Sequence, residues 1–580
     1  MNNSTKNLFF FLLAVVSAAS VFCIGNFDIF SNHYIINDDV RQQIFWMERW
    51  RDPGLFQNDF LTRYAETYVP AGVKLIYRMA SFWFEPVVFS NILTAILFVL
   101  TAGLWFAWGR CFGDDLTAFL VVVVFLLFSG FEAQIAGGLS RGFVFPLLIA
   151  YCLCISQGKL FLASVVLLIQ SLFNPYVFLL CLFSHALVTA IRFGPELPPS
   201  GYQILDKMLA FIFQSRFVAF FNFGDDSSGG VNPSGESKRS VFKIFKTILI
   251  VNIPVIIGLI YTLFNVIGYQ SSVGHLISWK EMIGKSEYTE FGRYQLFPVP
   301  SFLYELVRPW IFNLSFPYWG PIAGWLMALA TVGVFFYAAR NYKPVIKWKG
   351  LRGLFLILPA SLFLYILARL FLVKLFVPRR YIYYTLSLIY CIGFAVALRI
   401  VLDGIRSRRI KLFCIISALL AFACIKGRHV EFIDFSEHHN LYKFFGTTAK
   451  NSLVAGWPEL MDNVTTFGRR PVFVNYELSH TWVEPYWSEV KKRTFDLFRA
   501  YYSSSPDEIK RFFKTNHIRY FVVRSEDFER SRFNNSPPYF EPFNGYIWYL
   551  MNSSPHFAIL DKSVFPPVFE ENGIRVLQFE

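Results

Sequence analysis

Long apolar runs and short polar connections alternate over the first 426 residues, and the pattern then changes. After a first run from Leu8 to Ile24, apolar runs are centred near 86–108, 116–131, 143–155, 160–173, 177–191, 244–266, 318–339, 353–377, 383–402 and 412–426. A bilayer core takes about 20 apolar residues of helix, with a lower limit near 17. The pattern predicts about 11 transmembrane helices, with 143–155 and 160–173 below that limit and read as re-entrant or half-buried. Lys6 and Ser17-Ala18-Ala19-Ser20 would suit a signal peptide, but a chain embedded throughout predicts a retained first helix. Beyond 426, Ser452–Trp457, Pro471–Tyr476, Ile518–Arg524 and Gly573–Phe579 read as strands. Pro458–Phe467, Val490–Tyr502 and Pro506–Thr515 read as helices between them. Such alternation predicts a small α/β domain. The expected organisation is a membrane domain over 1–426 and an α/β domain over 427–580.

Composition narrows the class. The chain is 55% hydrophobic and 16% charged, against about 25% charged in an ordinary soluble domain, and its mean hydropathy is +0.43. Disordered, collagen-like and ordinary soluble chains are excluded. The net charge of +14 does not indicate nucleic acid, because it is not spread over a soluble face. Residues 427–580 carry −1, so the excess lies in the membrane part. There it concentrates in two short connections. One holds Arg340, Lys343, Lys347, Lys349 and Arg352; the other holds Arg399, Arg406, Arg408, Arg409 and Lys411. Basic connections face the cytoplasm. With 11 spans the N-terminus is then cytoplasmic, segment 194–240 is a cytoplasmic linker, and 27–85, 267–308 and 427–580 are outside. The eight cysteines (23, 111, 152, 154, 181, 391, 414 and 424) lie in or beside apolar runs. They read as small hydrophobes, with no disulfide framework and no zinc spacing.

Three polar features stand out. The first is Asn37-Asp38-Asp39-Val40-Arg41, just outside the first helix, followed by Phe45, Trp46, Trp50, Leu55 and Phe56 in a pattern suiting a helix on the membrane surface. Adjacent carboxylates push their proton affinities apart, which suits a general base or a divalent-cation site; the plain alternative is a helix N-cap. The second is the glycine-rich stretch Gly130–Phe143, with Glu132, Gly137, Gly138 and Arg141. Glu132 is placed to complete an acidic cluster and Arg141 to hold a phosphate, or the two form an ion pair across a tight turn. The third is a ladder of cations without evident partners: Arg369, Lys374, Arg379 and Arg380. On this reading Arg369 lies about 12 Å inside the outer end of its helix. An intramembrane arginine marks a functional site by default and suits bidentate phosphate contacts, while snorkelling to headgroups is the alternative. Asp462, Arg469, Arg470, Glu477 and His480 show no recognisable catalytic spacing. There is no P-loop, dinucleotide fingerprint or Ser/His/Asp order.

With an acidic pair opening a long first outer loop, many helices and a soluble C-terminal part, the chain resembles the GT-C superfamily of membrane glycosyltransferases. Asp38-Asp39-Val40-Arg41 is similar to the Asp-Glu-x-Arg stretch of the aminoarabinose and protein mannosyl transferases, with Asp39 where Glu is usual. Val377-Pro378-Arg379-Arg380-Tyr381 looks like a Pro-x-Arg-Tyr stretch of bacterial members of unknown specificity. Gly456-Trp457-Pro458 through Arg469-Arg470-Pro471-Val472 looks like their outer domain. The resemblance implies a GT-C-like polytopic α-helical protein of the bacterial inner membrane with an extracytoplasmic α/β domain. It implies inverting transfer of a sugar from a polyprenyl-phosphate donor to an extracytoplasmic glycan, lipid or protein. Asp38 would be the general base, supported by Asp39, with Glu132 as the second-loop acid where the family more often has Asp. Arg41, Arg141, Arg369, Arg379 and Arg380 would meet the lipid phosphate. A divalent cation (Mg or Mn) on Asp38, Asp39 and Glu132 is left open. Competing readings are an O-antigen-type polymerase or ligase, a transporter or lipid flippase, and a non-catalytic scaffold.

Overall fold

The computed structural model describes residues 3–193, 237–313, 320–341, 346–371, 375, 377–407, 409, 431–533 and 537–579. Within them the chain is helical over its first two-thirds, and an α/β region follows. Seven helices are long and apolar enough to cross a membrane: 4–25, 86–112, 175–193, 243–268, 320–341, 348–370 and 379–404. The run at 116–131 does not make one straight span. Helix Asp115–Leu127 stops where Phe128 turns extended, and Ser129–Ile135 resumes at 71° to it, so the pair makes an eighth crossing only as a bent one. Helices Val144–Ser156 and Leu160–Phe173 have 13 and 14 residues. At 1.5 Å per residue that is about 20 Å, short of a core of about 30 Å, as the short runs predicted. The described residues thus hold fewer spans than the expected 11. The run at 412–426, linker residues 194–236 and Lys374 lie outside them.

The connections sort to two ends. At one, Trp108 Nε1 donates to Ser156 Oγ and to the Gly350 carbonyl, both at 3.1 Å, and Lys347 N donates to Phe112 O at 2.8 Å. Arg399 joins them through Asp114 at 3.1 Å. This end carries the basic connections. At the other, Asn91 Nδ2 donates to the carbonyls of Ile29 and Ile35, and Ser140 Oγ to Phe173 O. Helices 86–112 and 115–127 cross closely where Gly109 meets Ala118; a Cβ on Gly109 would lie 2.7 Å from the Ala118 Cα. Small residues permit such approach in lipid, where dispersion rather than water drives packing.

Residues 431–579 sit on the second end. Their sheet runs Val454–Gly456, Tyr520–Arg524, Ile574–Gln578, Pro567–Glu571, with the first pair parallel and the others antiparallel. Helices Pro458–Phe467, Tyr486–Tyr501 and Pro506–Asn516 match the pattern read from sequence. The expected strand at 471–476 does not form; only Val472 bridges to Val454. Both long connections, 27–85 and 267–308, add a strand to this region. Ile35–Asn37 pairs antiparallel with Phe432–Asp434, and Gly274–Leu276 with Val483–Pro485. The connection 27–85 also corrects an expectation. Phe45, Trp46, Leu55 and Phe56 are buried, whereas Leu75, Met79, Phe82 and Trp83 are exposed. The helix suited to lie on the membrane surface is therefore Ala71–Ala80, one apolar face of which is uncovered. Cys23 is also exposed rather than buried.

Candidate active site

The first helix ends at Gly25, where Asn26 Nδ2 donates to Phe22 O and to Glu132 Oε1, the latter at 2.8 Å. Eleven residues later Asn37 fixes the next turn from three sides. Its Nδ2 donates to Glu431 O, while its Oδ1 accepts from Asp39 N and, at 2.8 Å, from Arg141 Nη2. Gly137 packs against it with φ +88°, a left-handed conformation in which a Cβ would come within 3.0 Å of Asn37 Cβ. The glycine-rich stretch thus lets the connection before helix Val144–Ser156 touch the acidic turn.

Asp38 and Asp39 emerge from this turn half-open, with side chains 42% and 32% exposed. Asp39 occupies the cap position of helix Val40–Gln43 but its carboxylate makes no capping bond. It pairs with Arg141 at 2.7 Å. Asp38 pairs with Arg41, one turn on. Arg41 is itself buried: it donates to Asn463 Oδ1 at 2.8 Å, and its guanidinium carbon lies 4.2 Å from the Phe435 ring centroid. Expected to meet a lipid phosphate, Arg41 is instead engaged with Asp38 and the C-terminal region.

That region supplies two carboxyl groups. Asp462 Oδ1 accepts from Glu477 N, and its Oδ2 is buried without a hydrogen-bond partner. Burial pushes its proton affinity well above the usual carboxylate range, against the pull of Arg41, with Glu477 adding to the rise. Glu477 Oε2 and its carbonyl both accept from Gln42 Nε2, at 3.2 and 2.9 Å, and Arg293 lies 3.5 Å away. Burial pushes Glu477 up to about 7; Arg293 and Arg41 oppose this, and Asp38 and Asp39 reinforce it. Tyr68 O–H donates to Gln42 Oε1. His480, paired with Tyr64 Oη at 2.7 Å, is pushed down to about 3 by burial and then by Arg293, so it is neutral.

The cationic ladder is not partnerless. Helix Arg352–Leu370 ends sooner than the sequence suggested, which puts Arg369 in its last turn rather than deep inside; a cation is favoured there. Arg369 Nη1 donates to Pro300 O at 2.9 Å and to Tyr365 Oη at 2.5 Å. Glu305 is buried 3.7 Å from Arg308, within electrostatic reach of Arg379 and Arg369. Arg308 is also within reach of Arg379, as is Arg380.

The residues do not fit a divalent cation as arranged. Among the described residues no three His, Cys, Asp or Glu side chains converge as a metal requires. Asp38 and Asp39 each face an arginine, and Glu132 accepts from Asn26. Sequence reasoning passed over Arg293, Glu305 and Arg308, which carry no local pattern, and noted Asp462 and Glu477 without a role. The available signal was a single acid inside an otherwise largely apolar stretch, as Glu477 is within Val472–Leu478.

The sequence matches no protein-family profile and no curated protein. Solved structures similar to it include an Archaeoglobus fulgidus oligosaccharyltransferase in complex with zinc and sulfate, at 10% identity and a TM-score of 0.47, covering 90% of this chain and 68% of that one. Another is the archaeal oligosaccharyltransferase AglB from Archaeoglobus fulgidus with an inhibitory peptide and a dolichol-phosphate, at 10% identity and a TM-score of 0.48, covering 90% and 69%. Likeness of this degree carries no argument about chemistry.

Proposed function

We propose that the chain is an inverting glycosyltransferase of the bacterial inner membrane. It moves a sugar from a polyprenyl-phosphate donor to an acceptor on the outer face. The supporting observation is that a half-open pair of carboxylates and a cluster of arginines occur at the same end of the helix bundle. The N-terminus and the basic connections are assigned to the cytoplasmic side, which puts both clusters and residues 431–579 outside.

The acceptor oxygen attacks the anomeric carbon as the bond from that carbon to the phosphate oxygen breaks. The bonding pair leaves with polyprenyl phosphate, and the acceptor's proton passes to Asp38. One displacement inverts the anomeric centre, and its oxocarbenium-like state is the one met in glycoside hydrolysis. Arg369, Arg379 and Arg380, with Arg308, stabilise the departing phosphate. Asp39, held by Arg141, supports Asp38, while Arg41 fixes Asp38 rather than reaching the phosphate. Glu132 secures the end of the first helix through Asn26. No step here runs through a metal ion.

General-base catalysis contributes about 10²- to 10⁴-fold, so Asp38→Asn should cut transfer by that factor at unchanged expression. The assay uses the full chain in nanodiscs with a panel of polyprenyl phosphates bearing tritiated sugars, and cell-envelope extract as acceptor. Released polyprenyl phosphate and labelled acceptor are the readouts. Full activity in Asp38→Asn, or consumption of no sugar on the panel by the unaltered chain, defeats the reading.

A further inference from the structure

A cleft of about 260 Å³ opens where the connection 27–85 meets the C-terminal region. Tyr34 and Asp52 line it from that connection, Tyr442 and Lys443 from helix His439–Thr447, and Phe467 and Arg469 from the end of helix Pro458–Phe467 and the turn after it. None of these groups has a part in the proposed displacement.

The cleft carries positive charge that no acid cancels. Lys450 pairs with Asp52 at 2.7 Å. Arg469 pairs with Glu85 at 2.9 Å and lies 3.9 Å from Glu48, and Arg51 lies 3.5 Å from Glu85. Exposed Lys443 contacts no carboxylate among the described residues. Buried Arg470 spends its five N–H groups on Thr448 Oγ1 and the carbonyls of Gly446, Thr448, Gly468 and Arg469. Its donors are satisfied, so it builds the wall, but its charge meets no acid. Five cations (Arg51, Lys443, Lys450, Arg469 and Arg470) thus face three acids (Glu48, Asp52 and Glu85), and the excess of two belongs to Lys443 and Arg470. Arg469 is also held at φ +54°. Helices often end on such a left-handed residue, but as Gly or Asn, because a Cβ makes it costly. Strain of this kind collects at ligand clamps.

The opposite wall is aromatic. Tyr34, Tyr442 and Phe467 pack together with ring centroids 5.2 to 5.7 Å apart, and Tyr34 and Phe467 are only half-buried. Ring faces beside charged donors suit a sugar, whose C–H face stacks on the rings while its polar groups meet the donors. A bare phosphate would leave the aromatic wall unused, and a neutral glycan would leave Lys443 and Arg470 without counter-charge.

We propose that this cleft binds a saccharide bearing an anionic group, carboxylate or phosphate. The anion sits at Lys443 in the field of Arg470, and the ring lies against Tyr34 and Phe467. The volume is below the ~300–1,000 Å³ of sites for drug-sized ligands, so it holds one ring and the rest of the saccharide extends beyond it. Tyr34 and Asp38 bracket strand Ile35–Asn37 and stand at most about 14 Å apart along the chain. The occupant's further residues therefore reach the acidic pair, which makes it the acceptor; that role, unlike the binding, rests on the glycosyl-transfer reading. Glu85 immediately precedes membrane helix Pro86–Phe112, so the cleft is open to a lipid-borne saccharide as well as a soluble one.

The test is isothermal titration calorimetry on the full chain in phosphatidylcholine nanodiscs, with trigalacturonate, glucose 6-phosphate, maltotriose and inorganic phosphate as probes. The two anionic saccharides should bind; maltotriose, lacking the charge, and inorganic phosphate, lacking the ring, should bind about tenfold more weakly. Lys443→Gln should weaken trigalacturonate about tenfold and leave maltotriose unchanged, with Lys443→Arg restoring the difference. Tyr34→Ala should weaken glucose 6-phosphate but not inorganic phosphate. Maltotriose bound as tightly as trigalacturonate, no binding of any probe, or an indifferent Lys443→Gln overturns the proposal. A glucuronosyl lipid in the disc separates the two sources: competition with trigalacturonate that Lys443→Gln removes supports a lipid-borne saccharide, and its absence supports a soluble one. Equal competition by phosphatidylglycerol shows a patch without saccharide selectivity and overturns the proposal. Asp38→Asn should bind trigalacturonate as the unaltered chain does. Loss of the charge preference beside an inactive Asp38→Asn defeats this inference alone, whereas an active Asp38→Asn with binding intact defeats the transfer reading alone.

Discussion

Arg41→Met removes a positive charge from the place where the connection 27–85 meets the C-terminal region. The guanidinium bonds Asp38 and Asn463, and Asp462 and Glu477 attract it further. Methionine retains the apolar contact with Phe435, so the change is chiefly one of charge. Removing one partner from a buried ionic group costs about 3–5 kcal/mol, since the remaining charges stay buried. Asp38, 42% exposed, rehydrates at little cost; Asp462 and Glu477 do not. A loss of about 2–4 kcal/mol at neutral pH follows, or about 4–16 °C in the unfolding of a region of this size. Its pH dependence has a definite sign. Asp462 and Glu477 already bind protons more tightly than carboxyls in an unfolded chain, and losing Arg41 tightens them further. A group whose folded proton affinity is raised stabilises below its unfolded titration and loses that as pH rises through the folded one. The deficit of Arg41→Met should thus be smallest near pH 5, where protons replace the lost cation, and largest above about 7. Tryptophan fluorescence melts of the detergent-solubilised full chain, with trypsin protection of residues 431–579, measure it between about pH 5 and 8. Melts matching the unaltered chain at pH 8, or a deficit that deepens toward pH 5, refute the reasoning. Weaker donor binding with unaltered melting would instead mean that Arg41 serves the phosphate.

Gly137→Ala forces a side chain onto a left-handed backbone and against Asn37, a strain of about 1–3 kcal/mol. Since Asn37 orients both Asp39 and Arg141, sugar transfer should fall about tenfold with expression retained; wild-type transfer would show that the turn tolerates displacement. His480→Gln bears on acid stability. The buried imidazole is pushed down to about 3 by burial and Arg293, so the unfolded chain takes up a proton that the folded chain refuses as pH drops below 6.5. Stability present above 6.5 is lost toward pH 3, and Gln at 480 should flatten that decline in melting temperature; an unchanged decline assigns it to other groups.

The legible parts of the fold were those set by local pattern. Apolar runs of sufficient length became helices, and the shortness of 143–155 and 160–173 carried over to helices of 13 and 14 residues. Breaks inside apolar runs were hidden, because hydropathy does not register a change of direction. Phe128 is as apolar as its neighbours, yet the chain bends 71° around it. The end of helix 352–370 was hidden for the same reason, which placed Arg369 too deep. Strand Pro471–Tyr476 had the right alternation but found a single bridge partner in Val454, whose strand already pairs with Tyr520–Arg524. Long-range partners were out of reach in principle: Arg41 meets Asn463, and Gln42 meets Glu477, across more than 400 residues of chain. Spacing shows which groups stand side by side on one element. It does not show which groups close a site from separate elements.

An inverting displacement sets a geometric condition on the two charged clusters: the base must approach the anomeric carbon from the side opposite the departing phosphate. One face of the site must carry carboxylate and the other cation, with the sugar's width between them. The two clusters are built on different elements, the acids beside helix Val40–Gln43 and the cations at the facing ends of helices Arg352–Leu370 and Arg379–Gly404. Asn37 holds Asp39 and Arg141 and donates to the Glu431 carbonyl. Glu431 and Arg308 both lie within electrostatic reach of Tyr383, in the first turn of helix Arg379–Gly404. From Arg308 the contacts pass to Glu305, and through its field to Arg369 and Arg379. Each cluster carries its own counter-charges: Asp38 pairs with Arg41, Asp39 with Arg141, and Glu305 with Arg308. Among the described residues no ion pair joins Asp38 or Asp39 to Arg369 or Arg379. The carboxylate face and the cationic face therefore stay distinct, which is the separation that the proposed chemistry requires.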